Sequence, residues 1–173
     1  MQKLILMEKL KHLIQLISLN KYFVYFNKSY LILNMNKEKI LHCLNSILEI
    51  ELAGVVRYTH YAFMVQGPYR LSVVDWLREQ AKESLMHAEM VGEHITSLGE
   101  HPTLKIGELL ETHKHSTEDI LNECLEHERS AIKAYYDLLE NIDGKSIMLE
   151  EYARTMIATE EMHEAELKKM LRD

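Results

Sequence analysis

The sequence predicts an all-α protein, a four-helix bundle made of two antiparallel hairpins joined by a long crossover. Glycine and proline are scarce, at 6 and 2 of 173 residues, whereas strong helix formers such as leucine, glutamate and lysine are plentiful. Four amphipathic stretches follow one another after residue 36. The joins after the first and third stretches are short, and the middle join is long for a compact bundle.

Glycine, proline and turn residues mark the ends of the predicted helices. The four predicted helices cover, in order, residues 37–66, 71–98, 116–141 and 146–171. Gly67 and Pro68 end the first helix, because proline cannot continue a helix. Gly99 ends the second, and the NIDGKS turn separates the third from the fourth. Residues 99–115 then form the crossover between two hairpins.

The apolar face of each helix also carries polar residues. The inward stripes of the first, third and fourth helices are Ile40, Leu44, Ile47, Glu51, Val55, Tyr58 and Ala62; Leu121, Cys124, Glu128, Ile132, Tyr135 and Leu138; Leu149, Ala153, Met156, Glu160, His163, Leu167 and Met170. Residues three apart share a helix face, so Glu160 and His163 point the same way as their apolar neighbours. Either the helix phase is wrong or the interior needs polar groups.

The two halves of the chain repeat the order Glu, Tyr, Glu, His. The residues are Glu51, Tyr58, Glu83 and His87 in the first half, and Glu128, Tyr135, Glu160 and His163 in the second. The tyrosine follows the first glutamate by seven residues in both halves, and the second glutamate follows it by 32 in both. The histidine follows by 36 and 35 residues. Coincident offsets of this kind indicate an internal repeat rather than chance.

Helical phase separates these glutamates from ordinary surface ones. Glu128 lies in phase with apolar residues, whereas Glu126 lies on a stripe that we predict to face solvent. The other members of that stripe are Asn122, Glu123, Ser130 and Lys133. The same test places Glu51 inward and Glu49 outward.

Four buried carboxylates need compensating charge. An ionised carboxylate without a partner is strongly destabilising in a protein interior, and we find no arginine or lysine at the facing positions. Two divalent cations would balance four glutamates. Oxygen ligands with two imidazoles suit iron or manganese. Each residue alone has a simpler interpretation, as a hydrogen-bonded core acid, a core tyrosine or a chance Glu-x-x-His, but the matched set predicts a dinuclear metal site.

Charge and cysteine content restrict the class of protein. Residues 1–34 carry a net charge of +4, so the remainder of a chain with net charge −7 carries −11. An acidic body argues against nucleic acid as a partner and favours cations. Cys43 and Cys124 form no CxxC motif, and we interpret them as reduced, buried thiols of a cytoplasmic protein.

Residues 1–34 form an extension whose significance is doubtful. They are apolar and aromatic, but lysine and asparagine interrupt every run, so no stretch approaches the ~20 residues that span a bilayer. A signal peptide would need a cleaner apolar core. An amphipathic arm on a membrane surface is one alternative. We favour an upstream start codon, because MNKEKILHCLN at Met35 resembles a natural beginning, and place the domain at residues 35–173.

The segments LNSILEIELAGVVRYTHYAFM, KESLMHAEMVGEHITSLGEHP, LEHERSAIKAYYDLL and ATEEMHEAE resemble those of the bacterioferritins, within the ferritin-like superfamily. The resemblance covers residues 36 to about 172 and implies a ferritin-like four-helix bundle with a di-iron site. It implies Glu51 and Glu128 as terminal ligands, Glu83 and Glu160 as bridging carboxylates, and His87 and His163 as nitrogen ligands. Tyr58 and Tyr135 match tyrosines beside the metals.

Two positions depart from the family pattern. Bacterioferritins have glutamate three residues before the histidine in both halves, but here Ser84 occupies that position and Glu83 precedes it. Glu83 could reach the site from about 100° around the helix, a π-bulge could absorb the difference, or the first-half metal could be weak. The methionine that binds haem in bacterioferritins is also missing, so we expect no haem. Met86 and Met90 are interpreted as core residues.

The resemblance implies a ferroxidase, which oxidises Fe(II) to Fe(III) with O2 or peroxide for iron storage or detoxification, as a homo-oligomer in the cytoplasm without a membrane partner. One alternative is a peroxide-reducing protein of the rubrerythrin type, although the chain lacks the paired CxxC motifs of its usual partner module. Another is a degenerate structural or interaction protein, which Ser84 supports. The remaining histidines are predicted to lie at the surface, with His113 and His115 as a possible weak metal site; the others are His42, His60, His94, His101 and His127.

Overall fold

A computed structural model describes residues 37–110 and 112–172. The predicted extension over residues 1–34 lies outside these ranges, so its assignment stays a prediction. The four helices are α1 (Lys37–Met64), α2 (Arg70–Ser97), α3 (Thr117–Ile142) and α4 (Ile147–Met170). The described ranges contain no strand, and every predicted helix end lies within two residues of the observed one. The predicted all-α four-helix bundle is confirmed. None of these four helices is long and apolar enough to cross a bilayer.

Local hydrogen bonds explain where the helices begin and end. The Ser116 hydroxyl accepts a hydrogen bond from the Asp119 amide at the start of α3, and Ser146 accepts one from Leu149 at the start of α4. Both serines satisfy an amide that has no partner within its helix. At the end of α1, the Arg70 guanidinium donates to the Val65 carbonyl, which joins the first hairpin.

The predicted stripes form the core. Tyr58, Tyr135 and Leu138 are fully buried, and Val55, Ile132, His163 and Met170 are the members that stay partly exposed. The interpretation of Met86 and Met90 as core residues is wrong, since they are 50% and 38% exposed. The inward face of α2 instead includes Ser84, His87, Ala88, Val91 and Ile95.

The crossover lies against α1. The Gly107 amide donates to the Glu49 carbonyl over 2.8 Å, and the Thr103 amide donates to Asn45 Oδ1 over 2.8 Å. A Cβ atom on Gly107 would lie 2.8 Å from that same carbonyl oxygen, so only glycine permits this approach. Further along, the Thr112 hydroxyl donates to the Glu123 carboxylate of α3. The crossover therefore covers the α1–α3 side of the bundle, which matters for the buried polar groups there.

Candidate metal centre

All six predicted ligands surround one small cavity at the centre of the bundle. They come from all four helices: Glu51 from α1, Glu83 and His87 from α2, Glu128 from α3, and Glu160 and His163 from α4. Four of them are buried, whereas the side chains of Glu83 and His163 are 30% and 19% exposed. The bundle thus brings the six predicted acids and imidazoles together, and the site is most exposed at the α2–α4 edge.

Two groups of three residues present ligand atoms that all lie within 4.8 Å of one another. One contains Glu51, His87 and Glu160, and the other contains Glu128, Glu160 and His163. Glu160 belongs to both, since its Oε1 lies 3.0 Å from His87 Nδ1 and its Oε2 lies 3.1 Å from His163 Nδ1. One carboxylate thus spans the two halves of the site.

Glu83 also reaches both histidines. Its Oε1 lies 3.9 Å from His87 Nε2, and its Oε2 lies 3.4 Å from His163 Nε2. Helix α2 is α-helical throughout and contains no π-bulge. Glu83 therefore faces the site from one residue before the expected position, at the more exposed edge. Ser84 is buried and lines the same cavity.

The two tyrosines of the repeat cross between the halves. Tyr135 of α3 donates a hydrogen bond of 2.8 Å to Glu51 Oε1 of α1, and Tyr58 of α1 donates to Glu128 Oε1 of α3. Both tyrosines are fully buried. Each therefore fixes one carboxylate that belongs to the opposite half, while the second carboxylate oxygen stays available.

The pKa values of the central residues are shifted because several acids are buried close together. Burial raises the pKa of Glu51, and burial raises the pKa of Glu128 to about 7. Burial also opposes the charged forms of Glu160, His87 and His163, but the close contacts between imidazoles and carboxylates, including those of Glu51 and Glu128, outweigh it. The pKa of Glu160 is consequently well below its ordinary value, and those of His87 and His163 are raised to about 10.

The donor set fits a pair of hard divalent cations. Glu160 Oε1 is buried and accepts no hydrogen bond of good geometry, although His87 Nδ1 is close to it. A buried carboxylate oxygen without a hydrogen bond is uncommon unless an ion occupies the site. Within residues 37–110 and 112–172, every ion pair found for these six residues is between a carboxylate and an imidazole. Four carboxylates and two histidines would hold iron or manganese.

A second buried polar cluster contradicts two predictions. Glu123 and His127 were predicted to be exposed, but they are 7% and 5% exposed. Arg57 of α1 is also buried and bonds to the Glu123 carbonyl, to Tyr61 Oη and to His127 Nδ1. Arg57 thus serves this cluster, and none of its hydrogen bonds goes to a predicted ligand. The Thr112 contact closes the cluster on the crossover side.

The other histidines and the two cysteines are not gathered at the centre. His42, His101 and His113 are exposed and His60, His94 and His115 are half-buried. No three-residue metal group in the described ranges includes His113 or His115. Both cysteines are free and buried, as predicted. Cys43 Sγ lies 3.7 Å from Asn141 Nδ2 of α3. Asn141 is 17 residues beyond Cys124, about 25 Å along the helix, so the two cysteines are far apart.

Gly54 lies where the two polar clusters meet, and replacing it by alanine should destabilise the protein. A Cβ atom at this position would lie 2.7 Å from His127 Nε2 and 2.7 Å from Ser84 Oγ, both buried. Overpacking of this kind costs about 1–3 kcal/mol in the free energy of unfolding. Chemical denaturation of the metal-free protein measures it.

Gly92 is the matched control, since it lies within α2 and an added Cβ meets nothing within 4 Å. Gly92→Ala should stabilise the protein by about 0.5–1 kcal/mol, because alanine is the better helix former. Equal effects of the two substitutions would show that the space around Gly54 is not restricted.

Comparisons with known proteins agree with this fold. A family model described as a ferritin-like domain matches residues 41–173. A ferritin-like, diiron-carboxylate protein from Bacillus anthracis is 25% identical, with 78% of this chain and 96% of that chain covered and a TM-score of 0.74. A dodecameric thioferritin from Bacteroides fragilis, a bacterioferritin-related protein, is 24% identical over 85% and 92% of the chains, with a TM-score of 0.75. A search of curated proteins finds no match.

The fold also matches Rhodobacter capsulatus bacterioferritin, which is 21% identical over 78% of this chain and 84% of that one, with a TM-score of 0.69. Similarity at this level of identity shows the fold. Because the family model spans most of the sequence and the four helices superpose on solved ferritin-like structures, the chain belongs to the family of ferritin-like domain proteins.

Proposed function

We propose that this protein binds two iron ions among its six central ligands and oxidises Fe(II) to Fe(III) with O2 or peroxide, in iron storage or detoxification. The observation that carries the proposal is the pair of three-residue groups that share Glu160. A shared carboxylate between two sets of ligands is the arrangement that two neighbouring metal ions need. The Bacillus anthracis structure is named as a diiron-carboxylate protein, which supports iron over manganese.

Each residue has a role in this proposal. Glu51 and Glu128 would each hold one metal, oriented by Tyr135 and Tyr58. Glu160 would be shared by both metals from the buried side. The two histidines complete the ligand sets, and bound iron supplies the electrons that the oxidant takes up. The carboxylates hold cations close together and favour the higher charge of Fe(III).

Glu83 would be the second shared ligand, and it lies at the more exposed edge of the site. Its carboxylate spans the two histidines and its side chain is 30% exposed, in contrast to 4% for Glu160. Fe(II) and the oxidant would reach the site at this edge, between α2 and α4, where His163 is also partly exposed. The distances from Glu83 to both histidines support two metal positions and argue against a weak or missing metal in the first half of the site.

We also propose that the protein acts as a homo-oligomer in the cytoplasm. The Bacteroides fragilis relative is named as a dodecamer, and storage of oxidised iron requires an enclosed assembly.

Anaerobic titration of the purified protein with Fe(II), followed by exposure to O2 or peroxide, tests the proposal. We expect binding to saturate at two ions per chain and the optical absorption of Fe(III) to appear when the oxidant is added. Saturation at one ion would show that Glu83 does not replace a ligand at position 84. A protein that binds no iron would support the degenerate structural alternative instead.

A further inference from the structure

His127 separates two cavities of the bundle. One is the cavity of the metal centre, and the other is an outer cavity of about 140 Å3 that is lined by Arg57, Glu126 and Ser130 among others. His127 is the one residue in the described ranges that lines both. Its ring packs edge-on against Tyr58, with the ring centroids 5.5 Å apart. The imidazole therefore forms part of the wall of the candidate site without belonging to the predicted ligands.

Arg57 determines which nitrogen of His127 carries the proton. Arg57 Nη1 lies 3.3 Å from His127 Nδ1. A guanidinium has only donors, so Nδ1 must accept this hydrogen bond and must be unprotonated. Arg57 cannot easily turn away, because Tyr61 Oη accepts from its Nε and the Glu123 carbonyl accepts from its Nη2. In the neutral ring the proton is then on Nε2.

Nε2 lies near Ser84, which lines the cavity of the metal centre. The Cβ position of Gly54 is 2.7 Å from both His127 Nε2 and Ser84 Oγ, so these two polar atoms converge on one point. Ser84 lines the site cavity and lies three residues before His87, as Glu160 lies three residues before His163. The small serine leaves room for the imidazole. A protonated Nε2 cannot bind a metal, but it is a fixed hydrogen-bond donor.

We propose that His127 donates a hydrogen bond from Nε2 to a small anion bound at the metal pair, and that Arg57 is the positioning residue that fixes this tautomer. The inference rests on the proposed function, because the anion needs bound metal. The class of ligand is a small anion with a hydrogen-bond acceptor, such as azide. A neutral N–H group donates a hydrogen bond to such an anion, whereas the surrounding carboxylates would repel it.

The tautomer is tested first, in the metal-free protein, by 15N NMR of labelled histidine. We expect the His127 ring to carry its proton on Nε2 in the wild type, and to lose this preference in Arg57→Met. A wild-type ring protonated on Nδ1 would overturn the inference, whether or not the protein oxidises iron.

Anion binding is tested next on the Co(II)-loaded protein, with azide as the probe and the visible Co(II) spectrum as the readout. His127→Leu should weaken azide binding roughly tenfold or more, since a hydrogen bond to a charged group is lost. His127→Gln keeps an N–H group at a similar distance from the backbone and should lose less. Arg57→Met should fall between the wild type and His127→Leu.

Glu126→Gln is the control, because Glu126 is exposed and lines only the outer cavity. It should bind azide as the wild type does. Unchanged azide affinity in the His127 variants, with the Co(II) spectrum of the azide-free protein intact, would overturn the inference and leave the proposed function standing. Failure of the wild type to bind Co(II) would overturn the anion site together with the proposed metal centre. If His127→Leu does not fold, His127→Gln and Arg57→Met decide the question.

Discussion

Replacing Glu128 by alanine is expected to abolish rapid Fe(II) oxidation, with a loss of roughly 100-fold or more in rate. Glu128 is 3% exposed, belongs to one of the two three-residue groups, and accepts the hydrogen bond of Tyr58. In the proposed site, its removal would take a ligand from one metal and leave the other metal without its neighbour. Stopped-flow absorbance after mixing the Fe(II)-loaded protein with O2 measures the rate.

Glu126→Ala is the matched control for this experiment. It removes the same charge from the same helix two residues away, but Glu126 is exposed. Its oxidation rate should stay near that of the wild type. Glu128→Ala should still fold, because the substitution removes a carboxylate whose pKa is raised by burial, and circular dichroism checks this. Equal losses in both variants would mean that the helical phase of α3 does not determine which of its glutamates is needed for Fe(II) oxidation.

Helical periodicity was sufficient to find the fold and the set of candidate ligands. Burial in a bundle is a repeating property, so Glu51 and Glu128 could be told from Glu49 and Glu126 by their phase alone. The internal repeat supplied the partners of each. The structure then placed these side chains around one cavity. Their role as metal ligands stays a prediction until metal binding is measured.

The second polar cluster could not be predicted in the same way. Glu123 and His127 lie one residue before Cys124 and Glu128, at the edge of the apolar face and outside the predicted inward stripe of this helix. Ile120, Ala131 and Ala134 were the available signal for a wider face. Whether an edge position is buried depends on what covers it. Here the crossover covers the Glu123 side chain, because the Thr112 hydroxyl donates a hydrogen bond to its carboxylate. The periodicity of α3 contains no information about this loop, which lies outside the helix.

Metal binding is expected to release protons and to strengthen steeply as the pH rises. In the metal-free site, burial disfavours the charged imidazoles, but hydrogen bonds to the glutamates raise the pKa of His87 and of His163 to about 10. Both rings are thus protonated near neutral pH, whereas a metal ligand must be neutral. Two released protons correspond to an affinity gain of about 100-fold per pH unit. Calorimetry of Co(II) binding in buffers of different ionisation enthalpy counts the protons.

The stability of the metal-free protein should change with pH in the opposite direction. The pKa values of both histidines are raised above the ordinary 6.5, so their contribution is present below that value and is lost as the pH rises through about 10. Burial raises the pKa of Glu128 from 4.5 to about 7, so its contribution is lost over that lower range. The lowered pKa of Glu160 gives a contribution that is present above pH 4.5 and is lost only as the pH falls below that value, so it does not oppose the trend at higher pH. Thermal unfolding should therefore show Tm falling with pH without metal and rising with Co(II). Parallel curves would show that the histidines hold no such protons, and that the central acids are balanced in another way.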